Sequence, residues 1–299
     1  MPTSTLELDT TSPPAALPVA NRTARLRRWL NARLVLGLIL VVPLLVAGFI
    51  GPMLNLGNPL KTDPLNSLLG PGQSGHLLGT DQNGRDVLVR IIYGLRTSLI
   101  VTLCSVAIGA TVGTLAGLLA GYYRRWVEQI IMRLADLILV FPTILVAIAV
   151  ISFVGGSLIN LIIVISILII PVFARVIHAA TLGESQRDYV DAARAMGNRN
   201  RRIILRHVLP NVSTPLFIEL AILLGQVVLV EASLSFLGLG VPPPEPTLGN
   251  MVSSARGYMF NAPWLLVWPS LVLAALVIGF NLLVDGLRDL LDPRLRSGK

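Results

Sequence analysis

Apolar residues in this chain fall in long blocks. They show neither the one-sided periodicity of a surface helix nor the alternation of a half-buried strand. Six blocks stand out, at residues 34–53, 98–121, 137–154, 158–177, 215–232 and 265–284. A spanning helix needs about 20 mostly apolar residues, because a rise of about 1.5 Å per residue must cross about 30 Å of hydrocarbon. The pattern predicts an all-α integral membrane protein with six transmembrane helices. Gly155, Gly156 and Ser157, between the third and fourth blocks, read as a tight turn at the membrane surface.

The segments between the blocks set the organisation. Residues 1–33 are expected to form a disordered, basic tail. The first span is too long for a signal-peptide core and lacks a clear cleavage site, so it is expected to be retained. It is also expected to stand apart from a closer-packed core at residues 97–286. Between them, residues 54–96 form a segment rich in Gly, Pro, Asn and Ser. Within that segment Val87, Leu88, Ile91, Ile92 and Leu95 share one helical face, with Asp86, Arg90 and Tyr93 opposite. This spacing predicts a short helix, either on the outer bilayer surface or as a loop helix over a buried face. In the second span Ser105, Gly109, Gly113, Gly117 and Gly121 recur every four residues. Such a stripe lets another helix approach closely, and packing is its expected role; a border on a solute path is the alternative. Pro43, Pro142, Pro171 and Pro269 are expected to kink or locally unwind their spans.

Composition supports the bilayer. Hydrophobic residues make up 54%, charged residues 13%, and mean hydropathy is +0.74. A net charge of +8 would suggest nucleic acid as partner of a soluble protein, but in a membrane protein the placement of the charges matters more. Nineteen of the 24 basic residues lie before the first span, between the second and third, between the fourth and fifth, or after the sixth. The other five are Lys61, Arg85, Arg90, Arg96 and Arg256. The positive-inside tendency therefore puts both termini and the loop at residues 178–214 in the cytoplasm, and residues 285–299 are a cytoplasmic tail.

Little in the chain points to catalysis. Asp136, Glu219, Glu231 and Asp285 all lie within about two turns of a span end, where water or headgroups can reach them, and Arg133 or Arg175 could pair with Asp136 or Glu219. No acid sits near a span centre, which weakens the reading of an ion- or proton-coupled carrier. Neither lysine makes a phosphate-binding loop: Leu60 and Asn55 stand where its glycines belong around Lys61 and Thr62, and Lys299 is the last residue. If ATP drives this protein, the nucleotide site is on another subunit. His76, His178 and His207 are scattered and lack a second ligand at metal-binding spacing. Cys104 has no partner for an intrachain disulfide and is expected to be a buried packing thiol.

One polar island breaks the apolar pattern. Residues 188–211 read Asp-Tyr-Val-Asp-Ala-Ala-Arg-Ala-Met-Gly-Asn-Arg-Asn-Arg-Arg-Ile-Ile-Leu-Arg-His-Val-Leu-Pro-Asn. Asp188 is placed to cap a short helix, with Asp191 at the capping-box position, and Gly197 suits the left-handed residue that ends it. Asn198 or Asn200 can cap a second short helix that Pro210 helps to terminate. Ala192, Ala193 and Ala195 make the first helix thin enough for another protein to approach, and the arginines offer bidentate partners for carboxylates. On these residues alone, the island is either a docking knob or a solvated basic loop.

The island resembles the cytoplasmic signature of permease subunits of ATP-binding-cassette importers, at Asp191, Ala192, Ala193, Gly197, Leu209 and Pro210. Asp191 stands for the usual Glu and His207 for the usual Ile, and Arg206, His207, Leu209, Pro210 and Asn211 form a local motif. Three more stretches, Leu-Gly-Thr-Asp-Gln-Asn-Gly-Arg-Asp-Val-Leu (78–88), Ser-Leu-Ser-Phe-Leu-Gly-Leu-Gly-Val-Pro-Pro-Pro (233–244) and Asp-Gly-Leu-Arg-Asp-Leu-Leu-Asp-Pro-Arg (285–294), are similar to the C-type permease of dipeptide and oligopeptide importers, which nickel and glutathione importers also resemble. The likeness spans residues 25–296 and specifies no solute. It implies a type I importer permease fold in the cell membrane, not itself an enzyme, that binds no cofactor. The implied partners are a homologous B-type permease in a heterodimer, two ATPase subunits that hold ATP and Mg, an extracytoplasmic solute-binding protein and membrane lipid, with no nucleic acid. Asp188, Asp191, Ala192, Ala193, Gly197, Arg206, His207, Leu209 and Pro210 would then couple the permease to an ATPase.

Overall fold

The computed structural model describes residues 32–291. The expected N-terminal tail, apart from its last two residues, lies outside them, as do Arg294, Arg296 and Lys299. The chain runs through helices α1 (Ala32–Ile50), α2 (Val87–Tyr123), α3 (Arg125–Leu139), α4 (Thr143–Val154), α5 (Leu158–Glu184), α6 (Asp188–Ala195), α7 (Asn200–Ile203), α8 (Leu209–Asn211), α9 (Ser213–Phe236), α10 (Leu248–Ala255) and α11 (Trp264–Leu291). Among the described residues α1, α2, α5, α9 and α11 are long and apolar enough to cross a membrane, and α3 with α4 would make a sixth span only as a broken one.

That broken pair carries the kink expected at Pro142, and it replaces the single span expected at residues 137–154 by two helices. α3 and α4 meet at 85°. Pro142, the N-cap of α4, has no N–H to continue the ladder of α3, and its ring disfavours helical geometry at Phe141. The 12 residues of α4 rise only about 18 Å, short of the hydrocarbon thickness. α3 is amphipathic: Trp126, Ile130, Leu134 and Leu137 are exposed, while its polar residues reach α5. Arg175 donates to Asp136 at 2.5 Å and His178 lies 2.9 Å from Glu128.

The separate helix expected around residues 87–95 is instead the first part of α2. Nothing interrupts the ladder between Val87 and Tyr123, so α2 is about 55 Å long and must project from the bilayer. Asp86 caps it by accepting from the Val89 N–H at 3.0 Å. Arg90, expected on the polar side, is buried: it donates to the Pro59 carbonyl at 3.1 Å and pairs with Asp81 at 3.4 Å. Asp81 also accepts from the backbone N–H groups of Asn83 and Arg85 and from Arg85 Nε at 2.7 Å. One carboxylate thus fastens the loop that follows α1 to the projecting end of α2.

Close helix approach organises the rest. Gly109, Gly113, Gly117 and Gly121 all face α5. A Cβ at Gly113 would lie 2.5 Å from Phe173 Cβ, one at Gly117 2.6 Å from the Ala174 carbonyl and one at Gly121 2.6 Å from Thr181, while Gly109 meets Ile169. Ser105, at the head of the stripe, donates to the Ile162 carbonyl. The first span does not stand apart as expected. A Cβ at Gly37 would lie 2.8 Å from the Leu283 N, and Gly279 and Gly286 of α11 are as close to Val41 and Leu34. Small residues on both helices bring the backbones together, which is the means of association where lipid gives no hydrophobic drive.

Three apolar clusters result. One lies among α2, α4, α5 and α9, around Leu161, Ile165 and Phe173. A second joins α1, α2, α10 and α11, around Leu99, Leu248 and Leu276. The third, around Leu118, Ile177, Val190 and Val208, lies under residues 188–212. Two expectations about single residues fail here. Cys104 is exposed, because α2 turns it away from the glycine stripe. Glu231 is fully buried where α10 covers α9, and its carboxylate accepts from Ser235 at 2.7 Å.

Candidate functional site

The polar island folds as a helical bend against the ends of α2 and α5. α6 begins at Asp188, so Arg187 is the N-cap and no side chain caps the helix; Asp188 is its first residue rather than its cap. Asp188 and Asp191 still lie in the first turn, where negative charge favours the positive end of the helix dipole. Asp191 also pairs with Arg194 at 2.9 Å.

The far end of α6 closes as expected. Gly197 has φ +74°, the left-handed geometry that costs a residue with a Cβ about 1–2 kcal/mol. The Gly197 N–H donates to Arg194 O at 2.9 Å, and the backbone and side-chain N–H groups of Asn198 both donate to the Ala193 carbonyl, at 3.2 and 3.1 Å. Asn198 therefore closes α6 and does not open α7. The N-cap of α7 is Arg199, and Asn200 accepts from the Tyr122 hydroxyl at 3.0 Å.

Pro210 does not terminate the second helix. Ile204–Val208 form a π-helical turn that continues from α7 into α8, the Leu209 N–H donating to Ile204 O, and Pro210 follows within the same run. The wider π turn accompanies the burial of Ile203, Ile204 and Val208 together, while Leu205 and Arg206 stay exposed. His207 and Leu209 are half-buried.

The bend has a fixed inner side and an open outer one. Val190 and Ala193 are buried against Leu118, Tyr122 and Ile177, whereas Ala192, Ala195, Met196 and Gly197 are exposed, Met196 by 75%. No atom lies within 4 Å of a Cβ built on Gly197. Sequence spacing brought Asp191, Ala192 and Gly197 to one exposed ridge, but it placed Ala193 there too, and Ala193 faces inward.

Tyr189 is the anchor that sequence reasoning missed. Its hydroxyl donates to Glu184 of α5 at 2.7 Å and accepts from the Asn211 amide at 3.0 Å, while that amide also donates to the His207 carbonyl at 2.7 Å. One phenol thus ties α5, α6 and α8. Burial, then the hydrogen bond to Glu184, pushes its pKa above the ordinary tyrosine value. Tyr122 does similar work at the end of α2: besides its bond to Asn200, its ring lies 5.1 Å from the Arg194 guanidinium. Only the aromatic character of these two residues in a polar stretch could have signalled them. The ridge carries no nucleophile with a base, so its geometry suits contact rather than catalysis. Among the described residues no group of three or more His, Cys, Asp or Glu side chains could hold a metal ion.

Comparison with known proteins places the whole chain. Residues 113–297 match the family described as binding-protein-dependent transport system inner membrane component. The chain is 39% identical over 267 residues to the dipeptide transport system permease protein DppC of Alkalihalophilus pseudofirmus, covering 89% of this chain and 88% of that protein. It is 44% identical over 240 residues to the glutathione transport system permease protein GsiD of Pectobacterium atrosepticum, covering 80% and 79%. It is also 43% identical to the di/tripeptide permease DppC of Pseudomonas aeruginosa, over 80% of this chain and 78% of that one. In fold it is similar to a chain of the MetNI methionine ABC transporter in an inward-facing conformation, with a TM-score of 0.55, 21% identity, and coverage of 68% of this chain and 96% of that one. A helical membrane architecture and family likeness over most of its length together identify the chain as a member of the binding-protein-dependent transport system inner membrane component family, a multi-pass permease subunit.

Proposed function

We propose that the chain is the C-type permease of an ATP-binding-cassette importer for di- or oligopeptides or a related small solute such as glutathione. The solute class is carried over from the relatives' names. It pairs with a homologous permease, receives solute from an extracytoplasmic binding protein, and is driven by ATP and Mg on two separate ATPase subunits. The distribution of arginines supports cytoplasmic termini and a cytoplasmic bend.

The observation that carries this reading is the exposed ridge of Ala192, Ala195 and Met196 ending at Gly197, on a base held by Val190, Ala193 and Tyr189. A knob must be small on its outer face to enter a cleft and rigid on its inner face to pass on a push. Closure of the ATPase pair then drives the bend against α2 and α5 and shifts the spans between inward-open and outward-open. The drive is differential binding: the ATPases must hold one conformation more tightly than the other. Asp191, Arg206, His207, Leu209 and Pro210 flank or support the contact.

Gly197→Pro in the reconstituted assembly tests this, since proline cannot adopt φ +74°. Solute uptake and solute-stimulated ATP hydrolysis are expected to fall together while the assembly stays intact. Unchanged uptake and hydrolysis would remove the coupling role.

A further inference from the structure

Two side-chain amides lie deep in the spans with nothing to bond. Asn160, in the first turn of α5, donates to the Gly155 carbonyl at 2.9 Å and the Val154 carbonyl at 3.3 Å. Gln226 of α9 and Asn281 of α11 are exposed, and among the described residues neither side chain has a hydrogen-bond partner. At about 1.5 Å per residue, Gln226 lies about 20 and 15 Å from the ends of α9, and Asn281 about 25 and 15 Å from those of α11. The two helices meet here: a Cβ on Gly225 would lie 3.3 Å from Asn281 Oδ1. Each amide belongs to a longer face. Glu219, Gln226 and Ser233 recur every seven residues of α9, and Ala274, Asn281 and Arg288 every seven of α11, within continuous helix in both cases.

Unpaired polar groups are costly against hydrocarbon, so in a membrane such a face turns to another protein surface or to water. A hollow decides between them. Leu229 and Ile278, one turn beyond the two amides, line it with Ser233 and Phe236 of α9 and Ser270 and Ala274 of α11. Its volume of about 630 Å³ lies within the range of about 300–1,000 Å³ that small-molecule sites occupy. A subunit contact packs to the density of a core and leaves no such space. The chemistry of the walls narrows the solute. No His, Cys or charged side chain lines the hollow, so it offers no ligand to a metal ion and no counter-charge to an ionised side chain. Ser233 already donates to the Leu229 carbonyl at 2.7 Å, and the remaining walls are mainly apolar. An apolar side chain fits them. The neighbouring amides both donate and accept, as a peptide bond requires of its partners.

We propose that the α9–α11 face lines a water-filled solute path, where Gln226 and Asn281 bond the backbone of a passing peptide and the hollow takes an apolar side chain. The peptide part rests on the importer reading above; the water-lined face does not. The test uses the assembled transporter in proteoliposomes, with Cys104→Ala as background because Cys104 is exposed. The single substitutions Gln226→Cys and Asn281→Cys are expected to react with a charged, water-borne thiosulfonate. Trileucine should slow that reaction more than triglycine does. Ala274→Trp fills the hollow and should cut trileucine uptake about tenfold relative to triglycine uptake, with the binding protein saturated by each peptide. Reaction only with a lipid-soluble maleimide would overturn the proposal and turn the face to lipid. Resistance to both reagents, with disulfide crosslinking to the partner permease, would overturn it in favour of a subunit contact. Equal protection by the two peptides, with their uptake ratio unchanged by Ala274→Trp, would remove the side-chain site. Gly197→Pro should halt uptake and leave the labelling unaltered. Labelling in an assembly that moves neither peptide would overturn the peptide reading alone, so the two readings fail separately.

Discussion

Gly197 and Gly117 are glycines for different reasons, and substitution separates them. Gly197 needs its backbone geometry and has open space around it, whereas Gly117 has helical geometry and no space. Gly197→Ala should therefore cost about 1–2 kcal/mol, the penalty of left-handed backbone. Gly117→Leu must push α5 away and should destabilise by about 1–3 kcal/mol or more, as overpacked cores do. Thermal unfolding of the detergent-solubilised protein would rank them, with Gly183→Ala, a helical site with nothing nearby, as a near-neutral control. The Tyr189 hydroxyl makes two good hydrogen bonds, so Tyr189→Phe should cost about 1–3 kcal/mol. Because the folded state raises the pKa of this phenol, its contribution is complete below the ordinary tyrosine pKa and is lost as pH rises through the raised value. The variant should accordingly lose less of its remaining stability than wild type in strongly alkaline buffer, measured by the same unfolding assay. Neither tyrosine role was legible beforehand, since their partners are up to 78 residues away in sequence.

At the scale of the element, helix existence was far more legible than helix continuity. Block length identified α1, α5, α9 and α11 because an apolar run of that size can be satisfied only as a buried or membrane helix. It misjudged α2 and the α3–α4 pair for opposite reasons. Polar residues around Arg90 looked like a break, yet Asp81 and the Pro59 carbonyl satisfy that charge and the helix continues. Apolar residues around Val140 form one block, and Pro142, expected to kink it, stops the ladder altogether. Pro142→Ala should open the 85° bend, lengthening the distance between spin labels at Trp126 and Phe153, both exposed sites. An unchanged distance would place the cause of the bend in the contacts of α3 with α5 instead. Within those contacts the Arg175–Asp136 pair is more than half exposed, and its loss should cost less than about 1 kcal/mol.

At the scale of the molecule, two polar assemblies sit at opposite ends of α2. At one end the α6–α8 bend packs on Leu118 and Tyr122. At the other, Asp81 holds Arg85 and Arg90 and fastens the loop of residues 55–86. Because Arg90 is buried, Asp81→Ala leaves a charge without compensation and should destabilise this cap by about 3–5 kcal/mol. Faster limited proteolysis between residues 55 and 86, with the α6–α8 bend still protected, is the expected readout.

The sequence by itself determined the class of protein, most of its spans and the site of the bend. Each of these follows from local chemistry: an apolar block of bilayer length, a glycine that permits left-handed backbone, and aspartates in a first helical turn. Only the tertiary structure decided which helices touch, that the first span packs on the last, that Ala193 turns inward while Ala192 turns out, and that Glu231 is sealed from water. Those outcomes depend on close approach between backbones distant in sequence. A stripe of small residues permits such an approach, but the surface that fills it belongs to another helix.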